Sequence, residues 1–161
     1  MELPDFRIPH AEKIDWMIET NGWALEVVPA RPETDPPMPG YAYSIGLPAA
    51  VGFPEVAVFG LTPAAANGLI GLVADAARGG TEIPVGVELV GLLDNELRSA
   101  FAPIDLDEWG SLFTTAIAWY RGGPFGMVQL LFPDRSGFLP YEVGYDQRMR
   151  FAQPVLGRFD G

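Results

Sequence analysis

The sequence predicts an α+β fold: a mainly antiparallel sheet or half-barrel, about three helices, and a C-terminal tail that wraps the body. Three observations carry this. The short apolar segments come in adjacent pairs, without the regular strand–helix alternation of a doubly wound parallel sheet. Three longer segments carry helix start or stop signals. From Pro133 onward the chain is rich in Gly, Pro and aromatics yet keeps too many large apolar residues for a solvated tail. With 161 residues, 48% hydrophobic and 19% charged, the composition suits one domain over 1–161 with a sizeable core.

The elements follow in order. Ala11 to Asn21 reads as a helix with Ile14, Trp16, Met17 and Ile18 on or near its apolar face, ended by Asn21-Gly22. Trp23 to Val28 reads as a strand. Pro29 to Gly40 contains five prolines, which lack the N–H a central ladder needs, so it reads as an exposed loop. Tyr41 to Leu47 and Glu55 to Leu61 are the next strands, predicted to pair antiparallel across a Pro/Gly-containing connection.

Thr62-Pro63 then opens a second helix, with a hydroxyl at the N-cap and proline in the first turn, and Gly79-Gly80 stops it. Within it Gly68 and Gly71 lower helix propensity, by roughly 1 kcal/mol each against alanine, and are expected to allow close approach to the sheet. Ile83 to Leu89 and Leu97 to Ile104 read as strands around Asp94-Asn95. Asp105 or Asp107 caps a third helix running through Trp109, Leu112, Phe113, Ile117, Trp119 and Tyr120 to Gly122-Gly123. Phe125 to Phe132 is the last clear strand.

Net charge is −11, unevenly spread: residues 1–120 hold 17 acids against 5 bases, and residues 121–161 hold 4 acids against 5 arginines. An acidic body repels phosphate backbones and anionic lipid, which argues against nucleic-acid and membrane-surface binding. Cysteine is absent, which removes disulfides, thiolate metal sites and cysteine nucleophiles. The start, Met1 to Asp5, lacks the basic and apolar regions of a secretory leader, and no later apolar run reaches the length of a membrane span. The expectation is a soluble cytoplasmic protein.

Several segments recur as a set. Tyr43-Ser44-Ile45-Gly46-Leu47 is followed by Pro54-Glu55-x-x-Val58-Phe59-Gly60-Leu61, then Trp119-Tyr120, then Gln129-Leu130-x-x-Pro133-Asp134-x-x-Gly137, and then Pro140-Tyr141-Glu142-x-Gly144-Tyr145-Asp146 through Gln153-Pro154. Over roughly Trp16 to Leu156 this set resembles the bacterial domain of unknown function 4262 family. The resemblance implies a bacterial single-domain protein and supplies no activity, substrate, cofactor or partner. In that family a histidine commonly precedes the Pro-Glu pair. Here Phe53 takes its place, which argues against a histidine-dependent reaction at that point.

The residues themselves offer few catalytic groups. His10 is the sole histidine and reads as a surface residue, with no second histidine to share a metal. Ser44 sits in a strand and lacks a Gly-x-Ser-x-Gly elbow. Asp105, Asp107 and Glu108 are explained by a helix N-terminus, where acids are favoured without a cation. Gly122 to Gly126 follows a helix and enters a strand, the reverse of the phosphate-cradling order. Glu142 and Asp146 are the acid–base candidates, because neighbouring carboxylates in different environments titrate apart. The competing reading pairs Glu142 with Arg148 or Arg150 to pin the tail.

An aromatic and polar group remains: Tyr41, Tyr43, Trp119, Tyr120, Gln129, Tyr141 and Tyr145. It suits a ligand pocket and equally a core rim. With Arg121, Arg148 and Arg150 it points to a noncatalytic module that binds a small anionic ligand or a protein segment. The alternative is a small enzyme, a flavin-dependent oxidoreductase or a carboxylate-assisted hydrolase, with its pocket between sheet and tail; no motif names a cofactor, although flavin sites need none. Apolar surface from Trp109, Phe113 and the tail is compatible with a homodimer.

Overall fold

A computed structural model describes residues 6–159, so the acidic start, Met1 to Asp5, lies outside the described residues. Six strands form one open, mixed sheet: β1 (Ala24–Val28), β2 (Tyr41–Ile45), β3 (Glu55–Phe59), β4 (Glu88–Leu89), β5 (Ser99–Pro103) and β6 (Met127–Leu131). Their order is β1-β2-β3-β6-β5-β4. All neighbours are antiparallel except β3 and β6, which pair parallel with Glu55 opposite Met127. The expected antiparallel β2–β3 pair is present, with Tyr41 opposite Phe59.

The parallel pair follows from the path of the chain. After β3 it crosses one face as α3 (Pro63–Arg78), forms β4 and β5 beyond, returns through α4 (Leu106–Trp109) and α5 (Thr114–Trp119), and inserts β6 between β3 and β5. Side-chain alternation then sends Val56 and Val58 to α3, with Phe101, Val128 and Leu130. Ala57 and Phe59 go to the opposite face, with Tyr41, Tyr43, Phe113 and Ala116, where α1 (Ala11–Asn21) contributes Ile14. Helices on both faces leave every position of β2, β3 and β6 buried.

Helix α3 starts as its sequence dictates: Thr62 Oγ1 accepts the Ala65 amide at 3.2 Å, and Pro63 occupies the first turn. Ala66, Ile70, Val73 and Ala74 form its buried stripe. Gly68 and Gly71 do not face the sheet, contrary to expectation; an added Cβ at either would meet nothing within 4 Å. Close approach comes from Ala66 and Ala74 instead. On α1, Ile14 is buried but Trp16 is 63% exposed, because position 16 falls off the stripe that position 14 defines.

Other boundaries differ from the sequence reading for identifiable reasons. The third helix is broken into α4, a 3₁₀ turn at Gly110–Leu112, and α5. At Phe113 the backbone leaves the helical region (φ −125°, ψ 41°), and its ring packs edge-on against Tyr41 and Tyr43. Tertiary packing here overrides helix propensity. The connection between β2 and β3 holds a further short helix, α2 (Leu47–Val51). Strand β4 shrinks to two residues, at the free edge of the sheet.

The tail lies on the sheet face opposite α3, where Ala100, Ala102 and Leu131 pack with Tyr141 and Phe159. Contact is close: a Cβ on Gly157 would stand 2.5 Å from the Ala102 Cβ. Leu139 and Tyr145 are buried, whereas Phe138 and Phe151 remain exposed.

Candidate functional site

The most connected polar group of the interior is Glu55, the first residue of β3, which has no solvent exposure. Its Oε1 accepts the Ser44 hydroxyl at 2.7 Å and the Leu47 amide at 3.2 Å. Its Oε2 accepts the Gly46 amide at 2.7 Å and the Tyr120 hydroxyl at 2.6 Å. Ser44 Oγ in turn accepts the Val56 amide, which commits its proton to Glu55. Burial raises the Glu55 pKa above the ordinary carboxyl range, and the bonds from Tyr120, Gly46, Ser44 and Leu47 oppose that rise. A saturated carboxylate of this kind fixes the β2–α2 turn and holds the end of α5.

Tyr120 transmits that anchorage to the surface. Its ring stacks on Phe125 at 4.3 Å and meets Trp119 edge-on at 5.0 Å. Trp119 and Arg121 line one side of a cleft of about 870 Å³, and Phe6, Arg7 and Ile8 line the other. Gly122, at φ +76°, is where the two sides meet: a Cβ there would come within 3.1 Å of the Phe6 ring. The segment that supplies Phe6 and Arg7 is fastened to β1 by His10, whose Nε2 lies 2.8 Å from Glu26 Oε2. His10 is a surface residue, as its sequence context suggested, with its side chain 40% exposed, and it is paired with Glu26.

The structure separates the other residues of the expected group. Tyr41 donates its hydroxyl to the Leu112 carbonyl at 2.6 Å. Tyr43 meets Thr115 in the core, and burial pushes both phenols up to about 12. Gln129 serves the tail: Nε2 donates to the Pro154 carbonyl, and Oε1 accepts the amides of Leu156 and Gly157. Tyr145 is buried, bonded to Gln153 and covered by the Arg150 guanidinium at 5.6 Å. Arg150 donates to the carbonyls of Pro140 and Glu142. Arg148 pairs with Asp146 at 2.9 Å with its side chain 90% exposed. Of the three arginines, only Arg121 shares a cleft with Trp119.

Glu142 pairs with neither Arg148 nor Arg150. Arg98 holds it in a two-pronged contact, at 2.5 and 3.1 Å, and also binds Glu88 and the Gly137 carbonyl. The Arg98 guanidinium and the Leu139 amide keep the Glu142 carboxyl below its ordinary range. Asp134 receives the amides of Ser136, Phe138 and Asp146. Desolvation works against its charge, yet those amides leave its pKa lowered. Glu142 therefore anchors the tail to Arg98 of the body, whereas Asp146 caps the 3₁₀ turn at Gln147–Met149 within the tail.

Glu55, Arg98 and Asp134 were not among the candidate functional residues of the sequence, although Glu55 and Asp134 belong to the segments that carry the family resemblance. Glu55 and Ser44 did leave a signal, as the polar residues of two otherwise apolar strands predicted to pair. Arg98 left none, since its partners lie 10 and 44 residues away. Among the described residues no group of three His, Cys, Asp or Glu side chains is placed to hold a metal ion, and no helix is long and apolar enough to cross a membrane. The family model described as a domain of unknown function, DUF4262, matches residues 17–146. No curated protein and no solved structure matches the chain.

Proposed function

We propose that this chain, which belongs to the DUF4262 family, is a noncatalytic module that binds a small anionic ligand with an apolar body in the cleft between residues 6–11 and the end of α5. The observation that carries this reading is Arg121. It lines the cleft beside Trp119, and no ion pair of the described residues engages its guanidinium. A guanidinium presents a planar fork that gives a carboxylate or phosphate two parallel hydrogen bonds, and an indole face covers an apolar body. In a chain of net charge −11, a cleft that presents Arg121 is the natural place for an anion. Binding is favoured over catalysis because the two tail carboxylates, Glu142 and Asp146, are held by Arg98 and Arg148.

The test is a thermal-shift screen of carboxylates, phosphates and flavins, followed by calorimetry on the wild type, Arg121→Lys and Arg121→Gln. A ligand at a hundred times its Kd stabilises the native state by about 2.7 kcal/mol. Arg121→Lys keeps the charge and loses the fork, so affinity falls, and Arg121→Gln abolishes binding. A screen without shifts, or affinities equal in all three proteins, overturns the reading. A flavin that binds and colours the protein yellow moves the assignment to an oxidoreductase.

A further inference from the structure

We infer that the groove between α3 and the segment around β4 docks an apolar segment of a basic partner protein. The groove, of about 420 Å³, is lined by Leu72 of α3 and by Ile83, Leu89, Val90 and Leu92. It exists because β4 is only two residues long, so the sheet ends before it covers the outer flank of α3. Leu72 is left 46% exposed and Val90 61% exposed, and Val87, the residue before β4, is 53% exposed. Large apolar side chains gathered in one concavity mark an interaction site, unlike the same residues scattered singly.

Charge selects the occupant. Glu82 lines the groove, and Asp94 and Glu96 lie in the short 3₁₀ turn that comes after Leu92-Leu93; all three are exposed, and no ion pair of the described residues engages them. The nearby cations are already committed: Arg78 to Asp75, and Arg98 to Glu88 and Glu142. A second copy of this chain would bring two sets of unneutralised carboxylates to one interface, and like charges across an interface are costly. Anionic lipid meets the same repulsion. A protein segment that alternates Leu or Ile with Lys or Arg places its apolar side chains in the groove and a cation against Glu82, with Asp94 and Glu96 adding to the negative field beyond Leu92. This surface is separate from the Arg121 cleft and does not depend on that reading.

Three fluorescent peptide probes test it on the full chain by anisotropy: one alternating Leu and Lys, one with Glu for Lys, and one with Ser for Leu. Only the first is expected to bind, more weakly as salt rises through the range where exposed pairs are screened. Leu72→Asp and Val90→Asp add negative charge while removing apolar surface, so a loss of about tenfold or more in either reads the groove and not the general field. Both positions are exposed, and unchanged melting confirms that each variant folds. A control with Glu12→Gln and Glu19→Gln on α1 keeps wild-type binding. Failure of the first peptide to bind at low salt overturns the proposal, as does binding that survives both Asp substitutions. A wild-type dimer that Val90→Asp dissolves assigns the groove to a second copy instead.

Discussion

The hydroxyl of Tyr120 donates to the carboxylate of Glu55 at 2.6 Å, across 65 residues of sequence. One bond thus joins the start of β3 to the helix end that carries Trp119 and Arg121. The same carboxylate holds the amides of Gly46 and Leu47, so the β2–α2 turn, the sheet and the cleft wall share one fixed point.

Removing that point is expected to be severe. Glu55→Ala leaves the Gly46 and Leu47 amides and the Ser44 and Tyr120 hydroxyls without their acceptor in a dry interior. Destabilisation on the order of 3 kcal/mol or more follows from buried donors left unpaired, read as a shift in the urea midpoint. Tyr120→Phe removes one donor and is expected to lose about 1 kcal/mol. Equal midpoints for Glu55→Ala and the wild type would contradict the role assigned to the carboxylate.

The pH dependence of stability has two opposing parts. Glu142 and Asp146 are held below the ordinary carboxyl range by Arg98 and Arg148, and three amides, working against desolvation, do the same for Asp134. Their stabilisation is present above that range and is lost as pH falls through their folded values. Glu55, raised by burial, behaves oppositely: its contribution is complete below the ordinary glutamate value and is lost as pH rises through its folded value. The unfolding free energy of the wild type minus that of Glu55→Gln should therefore decline from pH 4.5 toward neutrality. A difference that stays flat, or that climbs with pH, is the outcome this account does not permit.

The tail is expected to be structural. Deleting residues 133–161 uncovers Ala100, Ala102 and Leu131 and leaves Gln129 without its backbone partners. Exposure of a few hundred Å² corresponds to on the order of 5 kcal/mol, comparable with the whole stability of a small domain. A shortened chain that melts cooperatively at the wild-type temperature would show that the tail does not hold the fold. Arg98→Ala is the milder version, expected to lose about 1 kcal/mol from a partly exposed two-pronged pair and to speed proteolysis between Pro133 and Tyr145.

Glycines separate by what surrounds them. Gly68→Ala and Gly71→Ala meet open space and gain helix propensity, so each is expected to raise stability by roughly 0.5–1 kcal/mol. Gly157→Ala forces a methyl against Ala102 and should destabilise by about 1–3 kcal/mol, or lift the end of the tail from the sheet. Thermal melts of the three variants check both signs.

Much of the fold was legible in the sequence. Short apolar runs marked β2, β3 and β6, Thr62-Pro63 marked the start of α3, and Asn21-Gly22 marked the end of α1, because caps and apolar runs act within a few residues. The same locality explains the readings that failed. Phe113 belongs to a helical pattern by composition, and it leaves the helix because its ring fills the space beside Tyr41 and Tyr43.

Sequence by itself determined the α+β class, the order of most elements and the segments that place the chain in its family. Tertiary structure decided the rest: that β6 runs parallel to β3, that Glu55 meets Tyr120, that Arg98 rather than Arg148 or Arg150 holds Glu142, and that Arg121 alone of three arginines shares a cleft with Trp119. Those partners lie tens of residues apart, and no local pattern encodes their meeting. It follows from the crossover that inserts β6 into the middle of the sheet and carries the end of α5 over the first residue of β3.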